Sequence, residues 1–208
     1  MQFNEICYKY FKYAKASISV LFWLLLIFAF ESPREGCMTI IAAVIHESGH
    51  VLYTLLRLKR PSAPYGALSG LRIKRVGILS YGEEISLYLS GPLANLIGAI
   101  LVTPLIGLVP DFAKDFAVIN LLTMVSNLLP IEGYDGYGAI SAIAEAIGKS
   151  EFLSVILRRL SFFFTVLMML ISLYLMYYLN GGYWIYAIFM LSALSFIKKS
   201  LKSQKRRF

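Results

Sequence analysis

Two histidines and a glutamate, spaced over five residues, give this sequence its clearest chemical signal. His46-Glu47-Ser48-Gly49-His50 is an HExxH motif, and its histidines are the only two in the chain. At 3.6 residues per turn, His46 and His50 lie on one face of a helix, so their imidazoles can share one Zn²⁺. Glu47 lies beside them, where it can act on a water molecule at that ion. The motif therefore predicts a metal site with a general base next to it.

The motif lies in an apolar stretch, residues 39–56, where ionisable groups are costly and usually functional. The whole chain is 58% hydrophobic, with a mean hydropathy of +0.68, which indicates an integral membrane protein. We expect residues 1–208 to form a single membrane-embedded domain with a core at about 38–140, leaving no room for a separate soluble domain.

The hydropathy pattern predicts an all-α polytopic membrane protein with six transmembrane helices. The predicted spans cover residues 16–30, 38–56, 85–108, 112–129, 161–179 and 183–197. Gly91-Pro92 and Pro104 are expected to interrupt the third span, and a short helix is predicted at 139–147.

Four helix breakers follow the HExxH helix: Pro61, Pro64, Gly66 and Gly70. The alternation that begins at residue 71 predicts a small membrane-associated β-hairpin or re-entrant segment, with strands at 71–74 and 76–81. An ordinary basic loop is the alternative reading of the same stretch.

The distribution of positive charge predicts the orientation. With the N-terminus in the cytoplasm, all of the 20 lysines and arginines except Arg34 and Lys114 lie on the cytoplasmic side. The net charge of +8 therefore reflects topology and predicts no nucleic-acid partner. Both termini are then cytoplasmic, and His50 lies about 10 Å from the cytoplasmic end of its helix at Arg57. The site is predicted to open towards the cytoplasm.

The third metal ligand must be a carboxylate or a cysteine, since no other histidine exists. Depth argues for Asp135, which follows a span that also descends to the cytoplasm, between glycines that allow close approach. Glu132 is the nearest rival and Glu145 a distant one, while a simple Asp-Gly turn is the non-functional reading of Asp135. Depth excludes the acidic residues and the cysteine at the outer face, which are Glu31, Glu35, Cys37, Asp111 and Asp115.

Asn95 lies deep in the third span, beside a stripe of small residues formed by Ser90, Ala94 and Gly98. The stripe predicts close approach of another helix. A buried amide needs a hydrogen-bonding partner, and helix-to-helix contact and a role at the metal site both satisfy that need.

Three motifs now occur in a recognisable order: HESGH, SGPLANL and NLLPIEGYDG. Over residues 38–140 the chain resembles the site-2 protease family of intramembrane zinc metalloproteases. It is most similar to the compact bacterial branch that includes the sporulation pro-sigma-factor processing enzyme. The segment around Asp135 departs from the family pattern at Gly133, Tyr134 and Tyr137.

The resemblance implies that His46, His50 and Asp135 hold one zinc ion per chain and that Glu47 is the catalytic base. It also implies that Asn95 is a catalytic residue near the substrate or the reacting carbonyl, and that the hairpin pairs with unwound substrate. The expected location is a bacterial cell membrane.

The implied activity is a metalloendopeptidase that cleaves a membrane-anchored protein or peptide in or near its transmembrane segment. The lipid bilayer is an expected partner, and a regulatory membrane partner and a homo-oligomer are both compatible with the sequence. A CAAX-type membrane metalloprotease is an alternative, but its pattern has a distal glutamate on a later helix. A membrane metal carrier or sensor, or an inactive protease-like binding protein, is the non-enzymatic alternative, which Glu47 disfavours.

Overall fold

The computed structural model describes residues 32–57, 64–67, 70–73 and 79–179. Within these ranges the chain forms five α-helices, a short 3-10 helix and two short strands. The predicted first and sixth spans, at 16–30 and 183–197, lie outside the described residues.

The HExxH motif lies in the first described helix, α1, which runs from Pro33 to Leu56. Ser32 caps it, since its hydroxyl accepts a hydrogen bond from the Glu35 N–H at 3.3 Å. Proline at the first helical position suits this start, because its missing N–H would have no intrahelical partner there. The helix therefore begins five residues before the predicted second span.

Two antiparallel strands follow α1: β1, Pro64–Ala67, and β2, Gly70–Ile73. Pro64 is opposite Ile73, and Ala67 is opposite Gly70. The strand β2 pairs with the strand before it, a partner that the sequence did not predict. Of the predicted return strand 76–81, residues 79–81 are not in a strand, and 76–78 lie outside the described residues. Only two residues separate β1 from β2 in the sequence, which suits a tight hairpin.

The next helix, α2, runs from Tyr81 to Val102 and starts where the predicted return strand ends. A capping box explains the start: the Ser80 hydroxyl accepts from the Glu83 N–H, and the Glu83 carboxylate accepts from the Ser80 N–H. The predicted interruption at Gly91-Pro92 is wrong, because the helix continues through it with the loss of only one N–H donor. At Pro104 the chain does change, to a 3-10 helix over Thr103–Gly107.

Three further helices complete the described fold. They are α3, Pro110–Leu128, α4, Asp135–Ala146, and α5, Ser150–Leu179. The short helix α4 begins at Asp135 rather than at the predicted residue 139, and α5 begins at Ser150 rather than at 161.

Three segments of the described chain are long and apolar enough to cross a membrane: Pro33–Leu56, Tyr81–Gly107 and Glu151–Tyr174. The helix α3, predicted as the fourth span, is not among them. Asp111, Lys114 and Asp115 near its start lower its apolar character. The three candidates carry large apolar side chains on their surfaces, as lipid-facing helices do.

The helix α2 packs against α1, α3 and α4 and is the centre of the described fold. Gly49 on α1 lies against the Ser90 carbonyl and the Ala94 side chain, and a Cβ atom at position 49 would lie 2.8 Å from the Ala94 Cβ. The predicted stripe of small residues is therefore where α1 approaches α2.

Adding one methyl group at this contact should be costly. We expect Gly49→Ala to destabilise the folded protein by about 1–3 kcal/mol, the usual cost of overpacking. Unfolding of the purified protein in lipid or detergent, followed by circular dichroism, measures the change. The control is Gly82→Ala, also in a helix, where a Cβ atom would have nothing within 4 Å. Equal stability of Gly49→Ala and the parent would contradict this packing.

Candidate metal centre

Three side chains meet at one buried point between α1 and the start of α4. The Asp135 Oδ2 atom lies 2.9 Å from His46 Nε2 and 3.2 Å from His50 Nε2, and the two Nε2 atoms are 3.3 Å apart. Both histidines are 6% exposed. Of the described residues that offer metal-binding atoms, these three form the group whose atoms all lie close enough together to hold an ion.

The backbone before α4 explains how Asp135 reaches the histidines. Gly133 has a φ of 105°, in the left-handed region that favours glycine, and it turns the chain into α4. Gly136 lies against the carbonyls of Leu128 and Leu129, where a Cβ atom would not fit. The first turn of α4 can therefore lie directly against the end of α3, and Asp135 occupies the first position of α4, where the helix dipole favours a carboxylate.

The outer nitrogen of His50 is held by α2. Its Nδ1 atom lies 2.8 Å from the Leu87 carbonyl oxygen and 3.2 Å from the Ser90 hydroxyl. A carbonyl can only accept a hydrogen bond, so His50 Nδ1 carries a proton and donates it. In the neutral ring, Nε2 then presents its lone pair towards Asp135 and His46.

The same logic applies to His46, whose partner is Asn95. His46 Nδ1 lies 2.8 Å from Asn95 Oδ1. The amide nitrogen of Asn95 donates to the Ala42 carbonyl at 2.9 Å, which leaves the Asn95 oxygen facing the imidazole. His46 Nδ1 is therefore the donor, and His46 Nε2 also presents a lone pair to the centre.

Two ring nitrogens and a carboxylate thus converge with no hydrogen between them when the rings are neutral. Asp135 Oδ2 is buried and has no hydrogen-bond partner, which is costly unless a cation lies among the three atoms. In a tetrahedral zinc site with bonds of about 2.0–2.1 Å, ligand atoms lie about 3.3 Å apart, close to the separations observed here. The donor set and its spacing therefore fit zinc.

The charge state of Asp135 also suits a metal. Burial raises the pKa of its carboxyl, but in the metal-free protein imidazoles of His46 and His50 that carry a proton on Nε2 lower it by more, so it lies below its usual range. Asp135 is then ionised, and a cation that binds there takes the place of the Nε2 protons.

Gly91 makes room for both imidazole rings. A Cβ atom there would contact the His50 ring and would lie 2.8 Å from His46 Cε1. Leu87, Gly91 and Asn95 are four residues apart and share one face of α2. That face holds the outer nitrogens of both histidines and leaves the space in which the rings stand.

The remaining sequence-predicted residues fall in different places. Glu47 is half-buried, and its carboxylate interacts electrostatically with both imidazoles and with Asp135. Glu145 is exposed, and Glu132 is not one of the three clustered residues; the Glu132 N–H donates to the Ser161 hydroxyl at 2.7 Å.

Asn95 lies on the far side of the His46 ring from Asp135. It is fully buried, and its oxygen contacts the ring nitrogen of His46 that points away from Asp135. Both of its donors go to protein oxygens, those of Ala42 and Asn120. Asn95 therefore orients a histidine, and in this structure it has no N–H left for a substrate carbonyl.

Sequence reasoning missed three contributors to this site. The Leu87 carbonyl leaves no trace in the sequence, because every residue has one. Gly91 was noted only as a helix breaker. Asn120 could have been found, since it is a second amide in an apolar run, the same signal that drew attention to Asn95.

The comparisons with known proteins bear on the fold. A site-2 protease from Methanocaldococcus jannaschii has a similar structure, with a TM-score of 0.56 over 85% of this chain and 88% of the other. The fold is that of a site-2 protease. The two sequences are 18% identical. No protein-family model and no curated protein matches the sequence.

The site-2 protease fold extends beyond the motif region, residues 38–140, on which the sequence resemblance depends. In this chain α1 carries HExxH and α4 carries Asp135. The chemistry of the centre still depends on this chain's own residues.

Replacing Asp135 should show whether Asp135, rather than Glu132 or Glu145, is the third metal ligand. Loss of a residue that hydrogen-bonds to a metal ligand typically weakens metal binding by roughly 10- to 100-fold. We expect Asp135→Ala to weaken zinc binding by more than this, because a direct ligand is lost. Competition with a chelator of known affinity measures it. Glu145→Ala is the matched control and should bind zinc as the parent does. Parent-like binding by Asp135→Ala would show that another residue is the third ligand.

Proposed function

We propose that this protein is an intramembrane zinc metalloprotease, which hydrolyses a peptide bond in or near the transmembrane segment of a membrane-anchored protein or peptide. The observation that carries the proposal is the meeting of His46 Nε2, His50 Nε2 and Asp135 Oδ2 within 3.3 Å, in the fold of a site-2 protease. The position of Glu47, next to His46 on an apolar helix, supports it.

His46, His50 and Asp135 would hold the zinc ion. When bound, zinc supplies a Lewis acid that polarises the scissile carbonyl and makes water more acidic. With three protein ligands, the site has the ligand number of catalytic rather than structural zinc centres.

Glu47 acts as the general base. It takes a proton from the attacking water while the water oxygen forms a bond to the carbonyl carbon. The carbon–nitrogen bond then breaks, and Glu47 delivers the proton to the leaving nitrogen, so one water molecule is consumed for each bond cut. Asn95 and the Leu87 carbonyl keep both imidazoles in the orientation that this chemistry needs.

The surroundings of the centre suit a water-consuming reaction in an apolar medium. Both histidines are buried in a helix that is long and apolar enough to cross a membrane. The distribution of lysine and arginine predicts that the end of the HExxH helix nearer to His50 faces the cytoplasm of a bacterial cell. Water and substrate would then enter the site from the cytoplasmic side of the membrane.

Loss of Glu47 as a base should stop cleavage without releasing metal. We expect Glu47→Gln to reduce cleavage of a membrane-anchored substrate by at least about 100-fold, the lower end of a general base's contribution. Cleavage in membranes and zinc content of the purified protein are measured together. Ser48→Ala, an exposed position inside the same motif, is the control and should behave as the parent.

Two results would contradict the protease. Cleavage by Glu47→Gln at the parent rate would show that Glu47 is not the general base. Altered metal flux across the membrane, with no cleavage by either protein, would favour a metal carrier.

The strands after α1 are proposed to bind the substrate. A helical substrate hides its carbonyls in its own hydrogen bonds, and pairing with a strand edge would replace those bonds as the helix unwinds. The strands β1 and β2 pair with each other along one edge of each, so an added strand would lie at an outer edge.

Proline in β2 should interfere with this pairing, because it has no N–H to donate. Successive N–H groups along a strand point to opposite sides, so Leu71→Pro and Arg72→Pro together cover both edges of β2. We expect at least one of them to reduce cleavage several-fold with zinc content unchanged. Parent-like cleavage by both variants would rule out substrate pairing with β2.

A further inference from the structure

A second asparagine, Asn120 on α3, lies behind Asn95 in the same buried network. Both amides are fully buried. Asn120 Nδ2 donates to the Phe116 carbonyl at 2.9 Å, and that carbonyl can only accept. The Asn120 oxygen must therefore face away from Phe116, and it accepts a hydrogen bond from Asn95 Nδ2 at 3.0 Å.

These contacts fix the direction of the Asn95 amide. Its nitrogen faces two oxygens, those of Ala42 and Asn120, at 2.9 and 3.0 Å. Turning the amide over would point its oxygen at both and leave two buried oxygens without a donor, which is costly in an apolar interior. The only orientation that satisfies every group places the Asn95 oxygen against His46 Nδ1.

We infer that Asn120 is a positioning residue of the metal centre. Acting through Asn95, it holds His46 in the tautomer that carries its proton on Nδ1 and directs the Nε2 lone pair at the metal. The inference rests on the proposed zinc centre, and it assigns to α3 a part in metal binding although α3 supplies no ligand. Outer partners of metal-bound histidines typically set metal affinity by about 10- to 100-fold.

The packing around Asn120 is consistent with a fixed position. Gly98 on α2 faces it, and a Cβ atom there would lie 3.2 Å from Asn120 Oδ1, tighter than an ordinary contact. The small residue at 98 therefore allows the amide to lie against α2 and reach Asn95. An amide pair that only joined α2 to α3 would also affect stability when it is removed. The test therefore measures the histidine tautomers and the zinc affinity.

The first readout is the tautomer itself. The chain has two histidines, so protein labelled with ¹⁵N at histidine gives a spectrum of two imidazoles. In metal-free protein, the nitrogen shifts report which atom of each ring carries the proton. We expect a proton on Nδ1 of both rings of the parent, where Asn95 and the Leu87 carbonyl accept it, and loss of that Nδ1 proton from one ring in Asn120→Leu and Asn120→Ala.

The second readout is zinc affinity, measured by chelator competition. We expect Asn120→Leu and Asn120→Ala to bind zinc about 10- to 100-fold more weakly than the parent. Asn120→Asp keeps an oxygen where Asn95 donates, so it should recover most of the affinity and the parent tautomer. It also keeps the test informative where an apolar residue prevents folding.

The matched control is Thr123→Val on the same helix. It removes a hydroxyl whose hydrogen bond goes to the Ile119 carbonyl, outside the chain of contacts that leads to His46. We expect parent-like tautomer and zinc affinity for this variant, whatever it does to unfolding.

The possible results separate the two proposals. Parent-like tautomers and affinity in both Asn120→Leu and Asn120→Ala, or the same losses in Thr123→Val, would overturn the role of Asn120. A parent that binds zinc with the expected tautomers but cleaves no membrane-anchored substrate would overturn the protease and leave the positioning role standing.

Discussion

The structure depends on one electrostatic constraint: three hydrogen-bond acceptors are held against each other inside an apolar protein. The Nε2 atoms of His46 and His50 and the Oδ2 atom of Asp135 lie 2.9–3.3 Å apart. Such an arrangement is unfavourable without a cation between them, and the protein maintains it with hydrogen bonds that fix both imidazoles from behind. The surrounding helices hold these three atoms in place.

The helix α2 provides most of that support, although it contributes no metal-binding side chain. Its Leu87 carbonyl and its Asn95 amide hold one histidine each, and Gly91 between them leaves space for the rings. The small stripe that admits α1 and the glycine that faces Asn120 lie on the same helix. A change that moves α2 therefore disturbs packing and metal geometry together.

The sequence predicted those features that follow from residue type and spacing. HExxH placed two histidines on one helix face, and depth in the membrane chose Asp135 among several acids; the structure brings these three together, while their role as ligands stays a prediction. Boundaries were predicted less well: α4 begins at Asp135 rather than 139, and α2 passes through Pro92. In α2, packing against the neighbouring helices outweighed the tendency of Pro92 to break a helix. The pairing of β2 with β1 was missed because alternation alone does not identify the partner strand. Asn95 was noticed for its polarity, but only the contacts of its nitrogen reveal which way its amide points.

X-ray absorption at the zinc edge, on protein purified from membranes without chelator, would show which atoms bind the metal. We predict one zinc ion per chain, bound by two imidazole nitrogens and carboxylate oxygen and by no sulfur. A metal-free protein, or a zinc shell that contains a cysteine sulfur, would contradict it.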